Sequence, residues 1–101
     1  MLESTVVKKI RRYLKHDYPN CFEFKSHGGK YQSVGLPDII CCINGKFVGI
    51  EVKAPGKENT LTAIQQHTIE LIRQAGGIAF MASSPEDTKQ QLKKSFKRSR
   101  E

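Results

Sequence analysis

The chain has 101 residues, enough for one compact domain that hides roughly 65% of its unfolded surface and too few for a second core. Seventeen Lys and Arg against ten Asp and Glu give a net charge of +7. That balance favours a polyanionic partner without naming it. Cys21, Cys41 and Cys42 are odd in number and lack the spacing of zinc or redox pairs, so they read as buried, reduced thiols. No uninterrupted apolar run offers a signal peptide or a membrane span, and the expectation is a soluble, cytoplasmic protein with no membrane partner.

Residues 3–16 space Val6, Val7, Ile10 and Leu14 as one face of a helix, with Tyr13 beside them. Lys8, Lys9, Arg12 and Lys15 fall on its solvent side. Carried back one turn, the apolar face ends in an acid, Glu3, which also suits a helix N-terminus. Pro19-Asn20 breaks the helix, and Cys21-Phe22-Glu23-Phe24 alternates as a short strand. Ser26-His27-Gly28-Gly29-Lys30 then reads as a polar, glycine-rich connection.

The strongest local signal is Asn44-Gly45 between the β-prone runs 38–43 and 46–53, which specifies a two-residue type I′ hairpin. With Ile43 facing Lys46, Cys41 faces Val48, Ile39 faces Ile50, and Asp38 faces Glu51. Alternation places Ile39, Cys41, Ile43, Val48, Ile50 and Val52 on one apolar face. The other face carries Asp38, Glu51 and Lys53 at one end.

Ala54-Pro55-Gly56 ends that strand. Thr60 or Thr62 can cap a second helix with Leu61, Ile64, Leu71, Ile72 and Ala75 at helical spacing, which Gly76-Gly77 stops. Residues 78–82 read as a buried strand parallel to that of Glu51, because a helix crosses between them. Ser84-Pro85-Glu86-Asp87 opens a third helix. After Leu92 the chain is rich in Lys and Arg with little to bury, so 93–101 is expected to be a frayed basic tail on a single domain spanning 1–92. The whole is an α/β fold, a mixed central sheet flanked by helices.

Two acids facing each other across a sheet bring their Cβ atoms to about 4.5–5.5 Å, and like charges so placed repel unless something positive lies between them. A hard cation such as Mg²⁺ resolves the conflict, with Asp38, Glu51 and the Val52 carbonyl as ligands. Lys53, two residues beyond Glu51, shares its face and can hold a phosphate oxygen or orient an attacking water. A salt-bridged polar patch is the alternative for the same residues.

Gly35-Leu36-Pro37-Asp38, followed after the hairpin by Ile50-Glu51-Val52-Lys53-Ala54-Pro55, resembles the proline-aspartate, glutamate-x-lysine nuclease superfamily, and within it the virus-type replication-repair nuclease (VRR-NUC) domain. The resemblance runs from Glu3 to about Ala82 and includes Leu61-Thr62-Ala63-Ile64-Gln65, although Ala63-Ile64 stands where many members have proline and an acid. It implies a restriction-endonuclease-like core, Mg²⁺ or Mn²⁺ dependence and phosphodiester hydrolysis in a bacterial or phage-infected cell. Standalone members of this size resemble homodimeric phage or bacterial enzymes that act on branched DNA such as four-way (Holliday) junctions. Carried over, Asp38 and Glu51 are metal ligands and Lys53 the catalytic lysine. Gln65 positions Lys53 or substrate, and Glu3 completes the metal shell through a water.

His16, His27 and His67 are scattered and carry no ligand spacing. Lys30, Tyr31, Ser33 and Lys57 are the candidate contacts to the DNA backbone. The expected function is a metal-dependent, structure-selective DNA endonuclease. The alternatives are a flap or linear-duplex nuclease with the same site, and a nucleic-acid-binding module without turnover.

Overall fold

The computed structural model describes residues 1–26 and 35–99. The element order is α1 (Glu3–Asp17), β1 (Phe22–Lys25), β2 (Ile39–Ile43), β3 (Lys46–Val52), a 3-10 turn over Glu58–Thr60, α2 (Ala63–Gln74), β4 (Ile78–Ala82) and α3 (Pro85–Ser99). The strands form one mixed sheet in the order β1-β2-β3-β4. β1, β2 and β3 are antiparallel neighbours, and β3 and β4 are parallel across the α2 crossover. This is the α/β arrangement expected from the element order.

The hairpin takes the register that its turn dictates: Ile43 faces Lys46, Cys41 faces Val48 and Ile39 faces Ile50. Asn44 and Gly45 both have positive φ, 52° and 79°, which is the requirement of a type I′ turn. Alternation then sends Ile39, Cys41, Ile43, Val48, Ile50 and Val52 to one buried face, where they meet Val6, Val7, Ile10 and Leu14 of α1 and Leu92 of α3. α2 lies against β3 and β4 on the opposite face.

Several boundaries and placements differ from the sequence expectation, each for a packing reason. β2 starts at Ile39, with Asp38 in a bend just before it, and β3 ends at Val52, one residue short of Lys53. Of the cysteines only Cys41 is buried; Cys42, on the other side of the strand, is exposed, and Cys21 is half-buried. Burial pushes the Cys41 thiol up to about 12, so it is inert. α2 buries Ile69, while Ile64 and Leu71 are about half exposed, because its seam on the sheet runs through Gln65, Ile69 and Ile72. α3 does not fray after Leu92. It continues to Ser99, since Phe96, one turn beyond Leu92, packs against the core with its ring 6.3 Å from that of Tyr18.

β1 alternates with its polarity inverted: Phe22 and Phe24 face out and Glu23 faces α1. Glu23's side chain is only 3% exposed and is held by Arg11, with Nε at 2.7 Å, and by Lys15 at 3.2 Å. Burial alone would raise its carboxyl, but the two cations more than offset that and hold it below its ordinary value. The pair's contribution to stability is therefore complete above about pH 4.5 and is lost as pH falls through the depressed value. Arg11→Ala should cost about 1–3 kcal/mol at neutral pH, because it leaves a buried carboxylate with only the exposed Lys15. Thermal melting from pH 3 to 7 would show a smaller gain with rising pH in the variant than in the parent.

Candidate active site

The end of the sheet where β2 begins and β3 finishes gathers the acids. Glu51 lies on β3 under α2 and is 4% exposed. Asp38 precedes β2, and its Oδ2 accepts the Val52 N–H at 2.7 Å. The ladder explains why that N–H is free. Lys53 N–H bonds Ala82 O of β4 at 3.0 Å, so alternation turns the N–H and C=O of Val52 towards β2. Were the antiparallel ladder to continue, residue 37 would face Val52, and proline has no N–H to give its carbonyl. The Asp38 carboxylate takes the donor instead, and the Val52 carbonyl faces the same end of the sheet.

Pro37 can turn the chain here because Gly49 has no side chain. A Cβ on Gly49 would come within 2.9 Å of Pro37 Cγ and 3.1 Å of Ile72 Cδ1. Ser26 ties the same corner, its hydroxyl donating to Pro37 O at 2.6 Å and its N–H to Asp38 O at 2.8 Å. The position of Asp38 is thus fixed from three directions.

Gln65 reaches Glu51 from α2. Thr62 and Gln65 form a capping box: Gln65 N–H donates to Thr62 Oγ1, and Thr62 N–H donates to Gln65 Oε1 at 2.9 Å. With its oxygen engaged at the cap, the amide presents Nε2 to Glu51 Oε1 at 2.6 Å. One oxygen of each acid is therefore anchored, Oδ2 of Asp38 and Oε1 of Glu51. Sequence reasoning named Gln65 without its capping role, which the Thr62-x-x-Gln65 spacing carries. It also missed Gly49, whose signal is a glycine inside an otherwise apolar strand.

Burial and the neighbouring Asp38 push the Glu51 carboxyl up to about 8, with the Lys53 ammonium opposing them. The exposed Glu3, at the start of α1, adds a smaller push in the same direction. Lys53 itself is only 9% exposed. Among the described residues no three His, Cys, Asp or Glu side chains converge as a metal cluster. The site is a carboxylate pair with a carbonyl beside it, and Glu3 lies within electrostatic reach rather than in that pair. These donors fit a hard divalent cation: all are oxygens, and the buried Glu51 and half-buried Asp38 repel each other unless positive charge or a proton lies between.

Lys57 is exposed on the turn after β3. Lys30, Tyr31 and Ser33 lie outside the described residues. Two clefts lie away from the acids, one of about 290 Å³ lined by Phe47, Leu71, Ile72, Ala75 and Gly77, and one of about 270 Å³ between α2 and α3. No helix among the described residues is long and apolar enough to cross a membrane.

The sequence matches no family model and no curated protein. Solved structures do resemble it. One described as a VRR_NUC domain protein superposes with a TM-score of 0.71 at 21% identity, covering 96% of this chain and 89% of that one. Another, described as a VRR_NUC domain, gives a TM-score of 0.61 at 22% identity over 85% of this chain and 92% of the other. The chain has the fold of these domains.

Proposed function

We propose that this chain, with the fold of solved VRR_NUC domains, is a metal-dependent endonuclease that hydrolyses phosphodiester bonds in DNA. The observation that carries the reading is the half-buried Asp38 set against the buried Glu51 with the buried Lys53 beside it, a concentration of ionisable groups that a purely structural face has no reason to keep. A bound Mg²⁺ or Mn²⁺ supplies polarisation of the phosphoryl group and a more acidic water. The remaining work belongs to the chain. Asp38 and Glu51 present the oxygens not taken by Val52 and Gln65, Glu3 orders water at the rim, and the Lys53 ammonium stabilises charge developing on a phosphoryl oxygen. Gln65 holds Glu51 in one rotamer, so the pair needs no rearrangement when it is loaded.

The favoured substrate is branched DNA such as a four-way junction, read by shape and backbone, in keeping with a +7 chain. The test is cleavage of labelled four-way junction, flap and linear duplex in Mg²⁺, Mn²⁺ and EDTA, resolved on denaturing gels. Paired nicks on the junction that vanish in EDTA are the expected result. Equal cutting of all three DNAs would transfer the reading to an unselective nuclease, and binding without cleavage would reduce it to a binding module.

A symmetric junction calls for two sites related by a twofold axis, hence a homodimer. Phe22, Cys42 and Phe47 are successive cross-strand neighbours on the sheet face that α2 leaves open, and they lead into the cleft at Leu71 and Ala75. Phe22 is 69% and Phe47 46% exposed, and the row bears no charge, so two basic copies can meet there without bringing cations together. Light scattering should give twice the monomer mass for the parent and the monomer mass for Phe47→Glu. A monomeric parent at tens of micromolar would refute the dimer.

A further inference from the structure

The cleft between α2 and α3 has the opposite character from the apolar one. β4 is an edge strand, and α2 and α3 lie against it, so their separation opens a groove along that edge. Its volume is about 270 Å³, and its lining includes Arg73 from α2, Ala79 from β4, and Gln91 and Lys94 from α3. The lining contains two cations and no acid.

Arg73 is held in place. Its Nε–H donates to Ala79 O at 2.9 Å, which fixes the guanidinium plane and leaves the terminal N–H groups as a fork. Among the described residues it joins no ion pair. On β4, Ala82 turns its carbonyl to Lys53 of the neighbouring chain segment, so alternation turns Ala79 to the open edge, its N–H along with the carbonyl that Arg73 holds. Gln91 and Lys94, three residues apart on α3, face the groove from the other wall. An oriented guanidinium, an ammonium, an amide and a backbone N–H around a small open groove are the donors that a tetrahedral dianion or a phosphodiester engages.

We propose that this groove is a second phosphate-binding site, which holds a backbone phosphate of the DNA away from the one being cleaved. The proposal rests on the nucleic-acid reading above. Ile78 and Ala79 precede Ala82 on β4 by three to four residues, so the groove lies about 10–13 Å along the strand from the point where Lys53 is tethered. Both sites can therefore engage one nucleic acid a few nucleotides apart, and the second contact would set the register in which the scissile bond reaches Asp38 and Glu51.

The test is fluorescence anisotropy of a labelled four-way junction and a duplex with the full chain in EDTA, over a salt series. Arg73→Gln and Lys94→Gln are compared with Lys9→Gln, an exposed charge on α1, as the control for net charge. Each groove variant should weaken binding about tenfold and lower the magnitude of the salt slope by about one, with a smaller change for Lys9→Gln. Lys94 is exposed, so its variant keeps the test valid if Arg73→Gln loosens the fold. In parallel, inorganic phosphate should shift the Arg73 Nε–H and Gln91 side-chain resonances in ¹⁵N spectra. A parent that binds no DNA would overturn both the nucleic-acid reading and this site. A parent that binds, with groove variants matching Lys9→Gln in affinity and slope, would overturn this site alone. Phosphate-induced shifts with DNA binding insensitive to the groove would assign the site to free phosphate and overturn the backbone contact.

Discussion

Lys53→Met should lower the single-turnover rate of DNA cleavage by at least about 100-fold while leaving the fold intact. The aliphatic part of Lys53 is buried at the end of β3, and methionine keeps that volume. What it removes is the ammonium. Losing one preorganised charge aimed at a developing phosphoryl oxygen costs on the order of 100- to 1000-fold. A second consequence gives the prediction its own signature. Burial and Asp38 already raise the Glu51 carboxyl, and Lys53 opposes them. Without Lys53 the carboxyl keeps its proton to higher pH, so residual activity and divalent-cation affinity should both move to more alkaline pH. Cleavage assays and cation titrations across pH 6–9 read both effects. A variant that cuts at the parent's rate would remove Lys53 from the chemistry.

Gly49→Val should lower the melting temperature by roughly 4–24 °C and weaken divalent-cation binding together. The Cβ of any side chain at this buried strand position meets Pro37 Cγ at 2.9 Å and Ile72 Cδ1 at 3.1 Å, and a valine adds two methyls to that conflict. Overpacking of this kind costs about 1–3 kcal/mol, and in a domain of this size each kcal/mol is worth roughly 4–8 °C. The coupling to the site is mechanical. The rigid Pro37 ring must move, Asp38 follows it in the chain, and the Asp38–Val52 bond of 2.7 Å is lost or lengthened. Calorimetry and a Mg²⁺ titration of the same samples test the coupling. If stability falls but cation affinity holds, the placement of Asp38 does not depend on the Pro37–Gly49 contact.

The two variants probe different levels of the same site. In the proposed mechanism Lys53 acts on the reacting group, whereas Gly49 acts only by permitting a close approach of the backbone and the proline ring. Gln65 belongs between them. It touches Glu51 at 2.6 Å, yet its own position is set by the helix cap it closes with Thr62. A site built this way is rigid before any ligand arrives, because each carboxylate is anchored through one oxygen to an element of the scaffold.

The sequence by itself determined the hairpin, its register and the face on which Asp38, Glu51 and Lys53 meet. These are local consequences: Asn-Gly accepts positive φ at both turn positions, the turn fixes which residues pair, and the period of two assigns each side chain to a face. The parallel neighbour of β3 was equally legible, since a helix of this length between two strands leaves little choice of topology. Tertiary structure decided the rest. Strand pattern cannot say which face of β1 is covered, so only the docking of α1 turned Glu23 inward onto Arg11 and left Phe22 and Phe24 outside. Composition after Leu92 suggests a frayed tail, but Phe96 finds the core one turn on and the helix persists to Ser99. Periodicity in α2 marks several apolar positions, yet the seam that meets the sheet runs from Gln65 through Ile69, and that choice brings Gln65 onto Glu51. In each case the deciding contact joins residues distant in sequence, and its energy depends on how surfaces fit after the chain has folded rather than on any pattern within one segment.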